Sequence, residues 1–195
     1  MGYKEEFLDI YYDNIERDGA DALLEWLEKS DFFTAPASSL KAHSNFEGGL
    51  CEHSVKAYKR YIRLLENEYG KDWEKVISKE SATIISLLHD VCKVNFYVVE
   101  MRNVKVGDKW EKKPYYKVED TLPYGHGEKS VYIISSFMKL SREEAMAINW
   151  HMGPYDARVI GGSYSISAAF KKFPNALLFY MADTQAAYLD ERIEE

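Results

Sequence analysis

The chain is poor in cysteine, in net positive charge and in long apolar runs, and each shortage removes a class of protein. Its two cysteines, Cys51 and Cys92, make no disulfide framework. Lys and Arg number 25 against 32 Asp and Glu, a formal charge of -7, whereas tracking along nucleic acid needs basic surface. A small anionic substrate is still admitted, because a local cation or metal outweighs the global charge. No apolar run approaches the ~20 residues of a membrane span. The opening Met1 to Glu6 has neither the basic nor the apolar stretch of a secretory leader. Repeats, low-complexity tracts and a convincing linker are also missing. These shortages predict one cytoplasmic domain over residues 1–195, with neither a membrane nor long nucleic acid as partner.

What is present is an ordinary globular composition, 46% hydrophobic and 14% aromatic, at a length that buries one core. Helical periodicity covers Glu5 to Arg17 and Ala20 to Lys29, and a loop with Pro36, His43 and Gly48-Gly49 follows. From Leu50 a longer helix carries Ala57, Tyr61, Leu64 and Leu65 inward and ends at Gly70. His53, one turn after Leu50, points the same way. A helix from about Lys79 ends on the doublet His89-Asp90. The period then changes: Val- and Tyr-rich segments at Phe96 to Glu100 and Tyr115 to Glu119, around the turn residues Val106 to Lys109, predict a β-hairpin, or a small three-stranded excursion, over about 95–118. Helices resume at Glu128 to Lys139, after the capping box Ser141 to Glu144, and over Tyr164 to Phe173. The last starts at Pro174 and runs to about Arg192, with Leu177, Leu178, Met181 and Leu189 inward. The fold class is mainly α with one hairpin insertion.

Four of the five histidines fall at the end or on the inner face of a helix. Singly, each reads as a core histidine bonded to a backbone carbonyl. Together they are costly to bury without a common partner, at ~1–3 kcal/mol for each unsatisfied group. A metal resolves this, since imidazole is its commonest neutral ligand and carboxylates supply the charge. Asp183, an acid among apolar helix neighbours, fits the same solution. Gly48-Gly49 and Gly125-His126-Gly127 leave backbone free to approach a metal or phosphate, and Gly153 stops the helix of His151. Cys51 and Cys92 stand two residues from ligand positions, which on a helix points them away, so both read as small core residues.

The order His53, His89-Asp90, Asp183, with the segments Gly48 to His53 and Leu88 to Lys93, resembles the HD-domain metal-dependent phosphohydrolases over about His43 to Glu191. Residues 1–40 lie outside those motifs. His126 and His151 match positions of the binuclear branch. The stretch His43 to His53 is also similar to the HD domain attached to a family of bacterial 3′–5′ exoribonucleases. The resemblance implies a helical HD bundle and one or two divalent transition-metal ions, drawn from Mn, Fe, Ni, Co or Zn. His53, His89, Asp90 and Asp183 would hold one ion, and Asp90, His126 and His151 a second. Ions ~3.5–4 Å apart would share a hydroxide that attacks phosphorus.

Lys93 stands where the family has a lysine suited to a phosphate oxygen, though a helix-end lysine also favours the dipole. His43 is a candidate acid for a leaving alkoxide, or a surface-loop histidine. Lys129 is a weaker phosphate candidate, and Glu128 either supports a ligand histidine or favours a helix start. The hairpin aromatics Phe96, Tyr97, Tyr115 and Tyr116 either stack on a base or simply pack. The implied activity is hydrolysis of a monoester or diester of a small nucleotide or short oligonucleotide. A nucleotide-binding regulatory module without turnover and a diiron oxygenase of the same fold are the alternatives.

Overall fold

The structure, a computed structural model, describes residues 2–39 and 44–191. Among these the helices are α1 (Tyr3–Asn14), α2 (Ala20–Lys29), α3 (Gly49–Tyr69), α4 (Lys79–Leu88), α5 (His126–Ser135), α6 (Arg142–Asn149), the single turn α7 (Ala157–Ile160), α8 (Ser165–Lys172) and α9 (Pro174–Gln185). Strands β1 (Tyr97–Val106) and β2 (Lys109–Val118) form one antiparallel hairpin. The mainly α architecture with a hairpin between α4 and α5 matches the sequence expectation.

Helix α3 is the axis, with α1, α4 and α9 packed around it and α6 closing against α4 and α9. It starts at Gly48 in the left-handed region (φ +82°) and ends at Gly70 (φ +72°), conformations that glycine adopts without a Cβ penalty. Helix α4 is buried on every side from Ala82 to Leu88, as an all-round apolar helix must be. Fully burying Ile84, Ile85, Leu87 and Leu88 contributes roughly 6–12 kcal/mol gross at ~1.5–3 kcal/mol each. That is enough to offset the several kcal/mol of placing the Asp90 charge just beyond its end.

Boundaries moved where tertiary contacts outweighed local pattern. Helix α1 stops at Asn14 rather than Arg17, because Arg17 is drawn away to a pair of carboxylates. Its guanidinium donates to Glu144 at 2.6 and 2.8 Å and to Glu80 at 2.9 Å. Glu144 is itself buried and accepts from the Ser141 N–H at 2.7 Å, so the expected capping box of α6 also ties α6 to the segment after α1 and to α4. Helix α5 begins at His126 and ends at Ser135, earlier than the Glu128 to Lys139 expectation. Each hairpin strand is ten residues long, so the pair fills the expected span of about 95–118. The strands turn at Gly107-Asp108, with Gly107 at φ +61° in the first central position.

The phase of α9 corrects the sequence reading. Leu177, Met181 and Leu189 are exposed, and Ala176, Phe179, Ala182 and Ala186 face the core. Three small residues on that face let α9 lie close against α3. After Gln185 the helix widens into a π-turn over Ala186–Asp190, a widening frequent at functional sites.

Candidate metal centre

The backbone breaks that end α4 set the centre. His89 is still helical, but Asp90 takes φ −105°, ψ 16° and Val91–Lys93 form a 3-10 turn. This places His89 and Asp90 against the N-terminal part of α3, opposite His53. Helix α5 brings His126 at its first residue, the end of α6 brings His151, and α9 brings Asp183. All six side chains meet in one cluster. Asp90 is 2% exposed and lies at the hub. Its Oδ2 is 3.5 Å from His89 Nε2 and 3.7 Å from His53 Nε2, and its Oδ1 is 2.8 Å from His126 Nε2 and 3.4 Å from His151 Nε2. Asp183 Oδ1 is 2.9 Å from His53 Nε2 and 3.6 Å from His89 Nε2.

The opposite ring nitrogens fix how these histidines are presented. His89 Nδ1 donates to the Ser86 carbonyl at 2.9 Å, His151 Nδ1 to the Ile148 carbonyl at 2.6 Å, and His53 Nδ1 to Glu191 Oε1 at 2.9 Å. Each acceptor holds the proton on Nδ1 and leaves Nε2 facing the shared centre, where it could ligate a cation. His53 and His89 approach to 3.2 Å between Nε2 atoms, a contact that a shared cation relieves. His151 Nε2 is buried and has no hydrogen-bond partner among the described residues; the 3.4 Å to Asp90 lacks hydrogen-bond geometry. An orphaned, inward lone pair beside two carboxylates fits a metal, and these buried His and Asp residues can hold one.

Electrostatics without an ion show what the cluster compensates. Burial pushes His89 down to about 3 and lowers His126. Burial opposes charge on His53 as well, yet Asp183 and Glu191 push it up to about 10. His151 is raised by Asp90 against the same burial cost. Both carboxylates are held low despite burial, Asp183 at about 2 by His53 and Asp90 well below the usual range by Lys93 and the histidines. Lys93 is buried, and burial disfavours its charge, but Asp90 Oδ2 at 2.6 Å keeps it raised and protonated.

Above the cluster opens a cavity of about 350 Å³. Its floor is His53, Asp90, His126, His151 and Asp183; Lys93 lines it, and Tyr97, Tyr155, Tyr180 and Tyr188 form much of its wall. Of the hairpin aromatics only Tyr97 reaches this cavity. Tyr115 donates to Glu100 at 3.0 Å, and Tyr116 lines a different hollow beside Phe46. Lys129 is also committed elsewhere, 2.5 Å from Asp120 and over the Phe96 ring, so it does not line the cavity. Glu128 pairs with Arg158 at 2.8 Å. The candidate acid His43 lies outside the described residues.

Two sequence readings change here. Gly127 leaves room for neither metal nor phosphate but for α6: a Cβ there would lie 2.6 Å from the Asn149 carbonyl carbon and 2.7 Å from the Ile148 oxygen. Cys51 is a core residue as expected, but Cys92 is not turned away. Because the helix has ended, Cys92 Sγ lies 3.4 Å from His126 Nε2 and 4.0 Å from Asp90 Oδ1. Glu191 was missed altogether. Its carboxylate accepts from Ser44 Oγ at 2.5 Å as well as from His53, and it arrives by way of the π-turn, which no periodicity announces. Compared with protein-family models, with curated proteins and with solved structures, the chain shows no match.

Proposed function

We propose that this chain is a metal-dependent phosphohydrolase that cleaves a phosphoester of a small nucleotide or short oligonucleotide. The observation that carries the reading is the convergence of three Nε2 atoms, each with Nδ1 bound to a fixed acceptor, on buried Asp90 and part-buried Asp183. The resemblance of His53, His89-Asp90 and Asp183 to the HD phosphohydrolase pattern supports it.

His53, His89, Asp90 and Asp183 would hold one divalent ion, and Asp90 through its other oxygen, with His126 and His151, a second. Mn, Fe, Ni, Co and Zn all suit such a donor set. Ions bound there supply Lewis acidity toward a phosphoryl oxygen and acidify water at neutral pH. The chain's own contribution is charge, orientation and exclusion. Asp90 and Asp183 supply the negative charge that neutralises the cations. Glu191 and the Ser86 and Ile148 carbonyls keep the imidazoles in one tautomer. Lys93, protonated at the cavity edge, offers a charge to an anionic phosphate. The tyrosine wall shields the floor from bulk water and presents flat surfaces to a base or sugar. A volume of about 350 Å³ is near the lower end of the ~300–1,000 Å³ typical of small-ligand sites and favours a nucleotide-sized ligand over a polymer.

The test is a metal assay on purified protein followed by a Mn-supplemented screen of mono-, cyclic and dinucleotides. We expect about two transition-metal ions per chain and phosphate or nucleotide release. The Asp90→Ala variant should lose both metal and turnover. Full activity in that variant would overturn the mechanism, and metal binding with no hydrolysis of any phosphoester would favour a binding module.

A further inference from the structure

We infer that Cys92 is a thiolate ligand of the ion on the His126 side of the cluster, an inference that rests on the metal reading above. The geometry fits a shared ion. Ligands held tetrahedrally at ~2.3 Å for sulfur and ~2.0–2.1 Å for nitrogen or oxygen stand roughly 3.5 Å apart. Cys92 Sγ is 3.4 Å from His126 Nε2 and 4.0 Å from Asp90 Oδ1, and the three donors form one potential metal-binding group. A second, independent observation points to the same place. His151 Nε2, 1% exposed and without a hydrogen-bond partner among the described residues, lies 3.4 Å from the same Asp90 Oδ1.

The thiol's position is built rather than incidental. The 3-10 turn of Val91–Lys93 aims it at the cluster, and the Cys92 N–H donates to Ser130 Oγ at 3.1 Å, which pins the turn to α5. Coordination forms one sulfur–metal bond and releases the thiol proton to solvent, so no oxidant or reductant is involved. A soft sulfur donor among imidazole and carboxylate selects thiophilic ions such as Zn, Co or Fe over Mg or Mn.

Cobalt(II) titration of chelator-treated protein, followed by absorption spectroscopy, tests this without reference to activity. We expect visible d–d bands together with an intense near-ultraviolet sulfur-to-cobalt charge-transfer band. Cys51→Ser leaves Cys92 as the sole thiol of the chain, and the band should persist there. Cys92→Ser should lose the band while keeping d–d absorption, and should bind Zn at least about 10-fold more weakly, the lower bound for even indirect ligand partners. Should Cys92→Ser fail to fold, wild type and Cys51→Ser decide the matter alone. Cobalt bound with no charge-transfer band, or a band that survives Cys92→Ser, overturns the thiolate and leaves the metal reading intact. No cobalt bound at all overturns both.

Discussion

At the scale of single residues, a histidine in this protein is defined by what holds its far nitrogen. His89 and His151 use backbone carbonyls three residues earlier, a local feature that follows from helix-end geometry. His53 depends instead on Glu191, 138 residues away in the chain. Removing that acceptor frees the ring to rotate and lowers its basicity. Glu191→Ala is therefore expected to weaken metal binding about 10–100-fold, as outer partners of ligand histidines do. Competition against a chelating dye, with helical content checked by circular dichroism, measures it. Unchanged affinity in a folded variant would show that Glu191 has no positioning role. The ligand candidates themselves were legible in the sequence because His and Asp at helix ends among apolar neighbours are unusual. Glu191 was not, since an acid near the end of a charged helix looks like any solvated one.

At the scale of elements, the cluster depends on how closely helices approach. Gly127 brings the start of α5 against the end of α6, so that His126 and His151 stand with ring centroids 5.2 Å apart. A methyl group there meets backbone carbonyls, which cannot rotate out of the way. Gly127→Ala should destabilise the fold by about 1–3 kcal/mol, the usual cost of overpacking. It should also separate His126 from Asp90 and lower metal stoichiometry. Denaturant unfolding and metal analysis on the same sample check both, and a variant as stable and as metal-replete as wild type would contradict the close-approach account. The sequence showed that this glycine mattered, but it assigned the close approach to a ligand rather than to a neighbouring helix. The phase of α9 failed for a related reason. Its large apolar residues suggested burial, whereas alanines and Phe179 face the core because α3 leaves little room there.

At the scale of the whole molecule, the metal-free protein carries opposed titrations in one cluster. His89 falls from 6.5 to about 3, chiefly by burial, so the unfolded chain takes up a proton that the folded chain refuses. Its effect is to destabilise as pH falls from 6.5 toward 3. Asp183, burial notwithstanding, is held at about 2 against 3.8 and contributes stability that is lost as pH falls toward 2. His53, pushed from 6.5 up to about 10 by Asp183 and Glu191 against its burial cost, contributes stability that is complete below 6.5 and lost as pH rises through 10. Chelator-treated protein should accordingly melt at its highest temperature near pH 6.5 and less well on either side. A thermal scan series from acid to alkaline pH reads this directly. A melting temperature flat across that range is the contrary outcome.

The sequence by itself determined the helical class, the position of the hairpin, most helix starts and stops, and which His and Asp residues were costly to bury unpartnered. These are local properties: periodicity, capping chemistry and the β-rich composition of 97–118 act within a few residues. Only the tertiary structure decided the donor at each imidazole, the phase of α9, the partner of Gly127 and the direction of Cys92. The His89-Asp90 doublet shows the divide. A helical rule carried past Asp90 turns Cys92 away from the centre, but the helix has ended there, and a single 3-10 turn brings the sulfur within 3.4 Å of His126. Periodicity holds only while the backbone hydrogen bonds that create it continue, and at this centre they stop.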